Sequence, residues 1–171
     1  MIKYASNSFL ALKISYINEI ANLCELVRAD IHDVASAMGQ DGRISDKFLH
    51  PGPGFGGSCF PKDLESLIAI SKEKNIPMET LSAAKKANSN QKAKMGTKLE
   101  KLINSNLKDK KIAVLGLSFK ANTDDVRESS SIDMIEFILS RGGIVRAYDP
   151  IANASMLELF NNISYFDDVY D

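Results

Sequence analysis

The 171-residue chain, 44% hydrophobic and 25% charged, can hold one domain or two small ones and has an ordinary globular composition. Its formal charge of -1, with lysines spread along helical segments rather than gathered with aromatics, argues against nucleic acid as a partner. Cys24 and Cys59, with two histidines, give neither a disulfide framework nor a metal-site spacing, and no apolar run approaches the roughly 20 residues of a membrane span, so a cytoplasmic protein with reduced thiols is expected.

Ile2 to Ala29 contains no Pro or Gly and is apolar at helical spacing on more than one stripe, which predicts a long helix buried on several sides. Small residues at Ala5, Ala11 and Ala21 would let another helix approach, so this segment is expected to pack internally or between subunits. Lys3 and Asn7, four apart, share one face of its first turns, as a solvated helix end would also place them. Cys24 falls in the apolar pattern and reads as core. Asp30 should cap a short helix, Ile31 to Met38, that Gly39 ends. Residues 40–50 lose periodicity and carry a single Arg43, which spacing alone leaves open between solvent and a sugar or phosphate site.

Residues 51–63 hold four of the ten glycines and then deliver Cys59 to the start of a helix predicted from Lys62 to Lys74. Glycine permits close backbone approach to a ligand, and a helix N-terminus favours a thiolate, which makes Cys59 a candidate nucleophile. A buried cysteine beside a dipole-stabilising Asp63 remains the alternative. Gly52, Gly54 and Gly57 spell G-x-G-x-x-G, but no β-rich run precedes them and Pro53 interrupts, so a dinucleotide fingerprint is rejected here.

Asn75 to Pro77 breaks the helix, and Met78 to Asn106 reads as another long one. Residues 107–111 look like a charged linker. Ile112 to Gly116, Ser129 to Ser140 and Ile144 to Tyr148 then form strand, helix and strand, a βαβ unit whose ligand crevice should lie at the carboxyl ends of the strands. Lys120 and Arg127, in the loop 118–128, are its cations for phosphates. The fold class is a mainly α domain, 1–106, followed by a partial Rossmann-like α/β domain, 107–171.

Gly54-Phe-Gly-Gly-Ser-Cys-Phe-Pro-Lys-Asp63, with Lys3-Tyr-Ala-Ser-Asn-Ser-Phe-Leu-Ala11 before it and Gly116-Leu-Ser-Phe-Lys120 and Thr123-Asp-Asp-Val-Arg-Glu-Ser129 after it, resembles the nucleotide-sugar 6-dehydrogenases. Three motifs agree in order and spacing over nearly the whole chain. The aromatic at 55 and Pro61-Lys62-Asp63 resemble the UDP-glucose branch more than the GDP-mannose or UDP-N-acetylmannosamine branches. The resemblance implies NAD-dependent oxidation of UDP-glucose to UDP-glucuronate through a thiohemiacetal and thioester on Cys59. Lys3, Asn7 and Asp63 would handle protons, orient water and stabilise oxyanions. Phe48, Phe55, Gly56 and Phe60 would line the sugar site, Arg43 would reach the substrate of a neighbouring subunit, and Lys120 would hold the UDP part. Lys62 and Arg127 would face NAD, and the helix 2–29 would form a homodimer.

By the same resemblance an N-terminal NAD-binding domain and later strands of the UDP-binding domain are missing, so this polypeptide alone is expected to show no dehydrogenase activity and to expose a sheet edge. A non-catalytic dimerisation module, and a cysteine acyl-transfer enzyme using His50 as base, are the competing readings. The latter lacks a third group to orient His50.

Overall fold

The computed structural model describes residues 1–104 and 106–170. Ser105 and Asp171, which the sequence places in the long helix 78–106 and at the end of the α/β segment, lie outside the described residues. The chain divides into two compact units, one of Met1–Phe55 and Cys59–Gln91, the other of Gly56–Ser58 and Lys92–Asp171.

In the first unit, α1 spans Ile2–Val27 and stops where Arg28 turns left-handed, its N–H donating to the Cys24 carbonyl. Within this unit the expected burial covers part of the helix circumference. α1 buries Ser8, Ala11, Ser15, Ile17, Asn18 and Cys24. These are mostly small or polar residues that let neighbouring helices come close: Ser15 Oγ donates to the Ala84 carbonyl at 3.0 Å. Ile2, Phe9, Tyr16 and Leu23, spaced by seven, remain exposed. The apolar pattern therefore serves two faces, only one of them turned into the unit.

α2 (Ile31–Gly39) begins as expected, the Asp30 carboxylate accepting the His32 N–H. A Cβ at Gly39 would press into the Asp46 backbone, so this glycine is set by close packing. α3 (Phe60–Glu73) starts two residues before the predicted Lys62, because Pro61 fits the first turn and Asp63 N–H already donates to the Cys59 carbonyl. Ala11, Phe55, Leu64, Leu67 and Leu81 make the core. α4 (Glu79–Ile103) contributes its first half to this unit and its second half to the other.

The second unit holds a parallel sheet of β1 (Lys111–Leu115), β2 (Ile144–Tyr148) and β3 (Ser164–Tyr165), in the order β1-β2-β3. Lys111 pairs with Ile144 and Leu115 with Tyr148, while β3 pairs with Arg146 and Ala147. Between the strands run α5 (Ser130–Ser140), capped by Ser129 Oγ, and the short α6 (Asn153–Leu157). Leu107, predicted in a linker, is fully buried with Val114, Leu117, Ile135, Ile138, Val145 and Met156. Its charged neighbours masked a single core anchor. No helix among the described residues is long and apolar enough to cross a membrane.

Candidate active site

Cys59 stands at the N-cap of α3 with its side chain exposed, whereas Cys24 is buried. One turn on, the Asp63 carboxyl is wholly buried, at 0% exposure. Its Oδ2 accepts from Asn7 Nδ2 at 2.6 Å and lies 3.2 Å from Lys3 Nζ, which remains 63% exposed. The opening turns of α1 and α3 thus meet through three side chains, with Cys59 close enough to act electrostatically on Lys3. Asp63 Oδ1 is buried without a hydrogen-bond partner among the described residues.

Burial pushes the Asp63 carboxyl upward, but the Asn7 amide and then the Lys3 ammonium outweigh it and hold the group below the ordinary carboxylate range. Lys3 is raised by its hydrogen bond to Asp63 and by that carboxylate's charge. The depressed Asp63 stabilises the fold fully above its unfolded value of about 3.9 and loses that contribution as pH falls through the lower folded value. Lys3 contributes below its unfolded value of about 10.4 and loses its share as pH rises through the higher folded one. Asp63→Asn is therefore expected to flatten the acid limb of a urea-denaturation profile below about pH 4. A variant keeping the wild-type slope there would show that the pair contributes nothing. Chemically, the cluster offers a thiol nucleophile, an ammonium and an amide as oxyanion donors, and an ionised carboxylate able to accept a proton.

Phe55 is buried and meets Phe60 edge-on at 6.1 Å, and Phe60 lies 5.9 Å from Phe48. The three aromatics therefore form one cluster adjoining Cys59 in the chain. Lys62, exposed in the first turn of α3, adds to the positive field on Asp63. Arg43 is exposed and folds back on Asp41, with Nε 3.0 Å from Oδ1. His50 is exposed.

Sequence reasoning missed what holds the glycine loop. Gly52 N–H donates to Asn18 Oδ1 at 2.7 Å and Gln91 Nε2 donates to the Gly52 carbonyl at 2.7 Å. Phe55 N–H donates to Asn88 Oδ1 at 2.8 Å, and Asn88 Nδ2 donates back to the Phe55 carbonyl at 3.0 Å. Polar residues on two helices carry no sequence signal that separates such bonds from solvation. The i, i+3 placement of Asn88 and Gln91 is the one clue.

In the second unit, Gly57 N–H donates to the Arg127 carbonyl at 2.8 Å, and a side chain at Gly56 would fall onto the Glu128 carbonyl. Gly56 thus answers to its own chain's backbone. Lys120 Nζ lies 5.3 Å from the centre of the Phe119 ring. Arg127 Nε and Nη2 bind the two oxygens of Asp125 at 2.9 and 2.7 Å, which brings the Asp125 carboxyl down to about 2. At the carboxyl end of β2, Asp149 accepts from four backbone N–H groups, those of Leu117, Ser118, Ile151 and Ala152, between 2.8 and 3.3 Å. It fixes both loops at the end of the sheet where a βαβ unit takes its ligand.

Residues 1–90 match the central domain of the UDP-glucose/GDP-mannose dehydrogenase family, and residues 113–171 match that family's UDP binding domain. The chain is 44% identical, over all its length, to a UDP-glucose 6-dehydrogenase of Rhizobium meliloti, of which it covers 39%. It is 48% identical to the UDP-glucose 6-dehydrogenase TuaD of Bacillus subtilis, with 99% of this chain and 37% of the relative covered. A UDP-glucose dehydrogenase structure from Pyrobaculum islandicum superposes with a TM-score of 0.94 at 38% identity, over 98% of this chain and 39% of that one. A UDP-D-ManNAc dehydrogenase from Pyrococcus horikoshii reaches 0.76 at 30% identity, over 88% of this chain and 36% of its own. The chain spans about two fifths of the length of the curated relatives it matches.

Proposed function

The chain belongs to the UDP-glucose/GDP-mannose dehydrogenase family, and from that premise we propose that it carries the covalent-catalysis and UDP-binding parts of an NAD-dependent, cytoplasmic UDP-glucose 6-dehydrogenase. The observation that carries this reading is the meeting of Lys3 and Asn7 on the buried Asp63 carboxylate, one turn from the exposed Cys59.

Oxidation of the sugar C6 alcohol to a carboxylate removes four electrons as two hydrides. NAD would supply the hydride acceptor when bound, and Lys62 in the first unit and Arg127 in the second are each exposed cations of the kind that phosphates recruit. Cys59 Sγ adds to the C6 aldehyde to give a thiohemiacetal, which on the second oxidation becomes a thioester. Lys3 and Asn7 donate to the C6 oxygen, and Asp63 accepts a proton from the water that cleaves the thioester. Sulfur is suited to both halves, as a nucleophile and as an acyl leaving group. Phe48, Phe55, Gly56 and Phe60 contact the sugar, Arg43 reaches the substrate of a second subunit, and Lys120 serves the UDP part.

Iodoacetamide labelling read by mass spectrometry tests the substrate. UDP-glucose should slow alkylation of Cys59 while GDP-mannose does not, with Cys24 unlabelled until denaturant is added. Equal labelling with and without UDP-glucose would reject the reading. The exposed stripe Ile2, Phe9, Tyr16 and Leu23 supports a homodimer through α1, since heptad spacing suits a second helix. Phe9→Asp with Tyr16→Asp should halve the mass seen in sedimentation equilibrium, and a wild-type monomer would exclude the dimer.

A further inference from the structure

The loop 51–55 has no helix or strand of its own, yet both backbone polar groups of Gly52 and both of Phe55 are satisfied by side-chain amides. Pro51 and Pro53 have no N–H to offer, so these amides do what a neighbouring strand would do. The Asn88 carboxamide closes a two-bond ring on Phe55, as a paired residue does across an antiparallel ladder. Asn88 and Gln91 are both buried, at 8% and 6% exposure, and Gln91 Oε1 accepts from Asn22 Nδ2 at 2.8 Å, which fixes the orientation of its amide. From Phe55 the contact passes to the ring of Phe60, the residue that follows Cys59.

We propose that Asn88 and Gln91 are positioning residues for the nucleotide-sugar site. Their amides hold the backbone of the glycine loop so that the Phe55–Phe60 pair, and with it the Cys59 thiol, is preorganised for the sugar. Neither side chain touches the reacting atoms. This inference rests on the nucleotide-sugar reading for its ligand, and on the loop geometry for the clamp itself. A buried carbonyl that loses its donor is costly, so the loop is held less firmly once the amide is gone.

Asn88→Asp is the decisive variant, because it keeps side-chain volume and the acceptor for the Phe55 N–H but removes the donor to the Phe55 carbonyl. In the 171-residue chain, hydrogen exchange of a peptide covering 50–60 should accelerate about tenfold, while one covering 64–73 is unchanged. The UDP-glucose concentration that halves Cys59 alkylation should rise about tenfold, and Gln91→Glu should act in the same direction. Unchanged exchange in 50–60, or acceleration shared equally by 64–73, overturns the clamp. Faster exchange in 50–60 with an unchanged half-protecting concentration overturns its role in the site. If UDP-glucose gives no protection even in the unmodified chain, the substrate reading fails and the clamp stands or falls on exchange alone.

Discussion

Exchange of Cys59 for serine is expected to weaken binding of the C6 aldehyde of UDP-glucose by on the order of 100-fold, equivalent to about 2.8 kcal/mol, while the affinity for UDP-glucose itself stays within about twofold. On the proposed reading the aldehyde gains a covalent contribution that the alcohol cannot have, and a serine hydroxyl is a weaker nucleophile than a cysteine sulfur. Lys3 and Asn7 keep their ion pair and hydrogen bond to Asp63 in such a variant, since both end on the Asp63 carboxylate. Calorimetric titration with both ligands reads the split. Equal losses for aldehyde and alcohol would mean that Cys59 shapes the site without bonding to carbon. An unchanged aldehyde affinity would remove it from the chemistry.

Asp149→Ala is expected to be the most damaging substitution in the second unit, at roughly 3–4 kcal/mol of unfolding free energy. Burial opposes the charge of this carboxylate, but the N–H groups of Leu117, Ile151, Ala152 and Ser118 outweigh it and hold the group below the usual carboxylate range. Alanine leaves four donors without an acceptor, at the joint between β1, β2 and α6. Asp149→Asn should recover part of the loss, since its carbonyl oxygen still accepts, though its amide opposes one side of the N–H array. Urea denaturation followed by circular dichroism separates the variants. A cost below about 1 kcal/mol for alanine would show that water replaces the carboxylate without strain.

Much of the architecture was legible from periodicity and punctuation. The strand Ile144–Tyr148 and the Asp30 cap of α2 fall where the sequence places them, and Pro61 marks the first turn of α3. What escaped depends on contacts between distant positions. Spacing puts Cys59 and Asp63 on one turn and Lys3 and Asn7 on another, but the bond between those turns joins residues 56 apart, and only the family resemblance united them beforehand. Apolar periodicity in α1 could show how much of the helix is hydrophobic and not which face stays outside. α6 and the two-residue β3 are too short to register any period. Leu107, Asn88, Gln91 and Asp149 each look ordinary in sequence, since an isolated leucine among lysines or an amide on a helix gains its meaning from the backbone group it meets.

The glycines of the central loop and its surroundings are constrained unequally, which bears on how this family can diverge. At Gly42 and Gly52 an added methyl meets nothing within 4 Å, so drift there is sterically open. At Gly56 the same methyl strikes a carbonyl, and at Gly57 it meets the Phe119 ring on a backbone at φ +79. A smaller residue at 119 would make room at 57, while the left-handed backbone would still strain any side chain there. Position 56 has no such route, because no side-chain change elsewhere moves a main-chain oxygen, and it should stay invariant in a randomised library long after 42 and 52 have diversified.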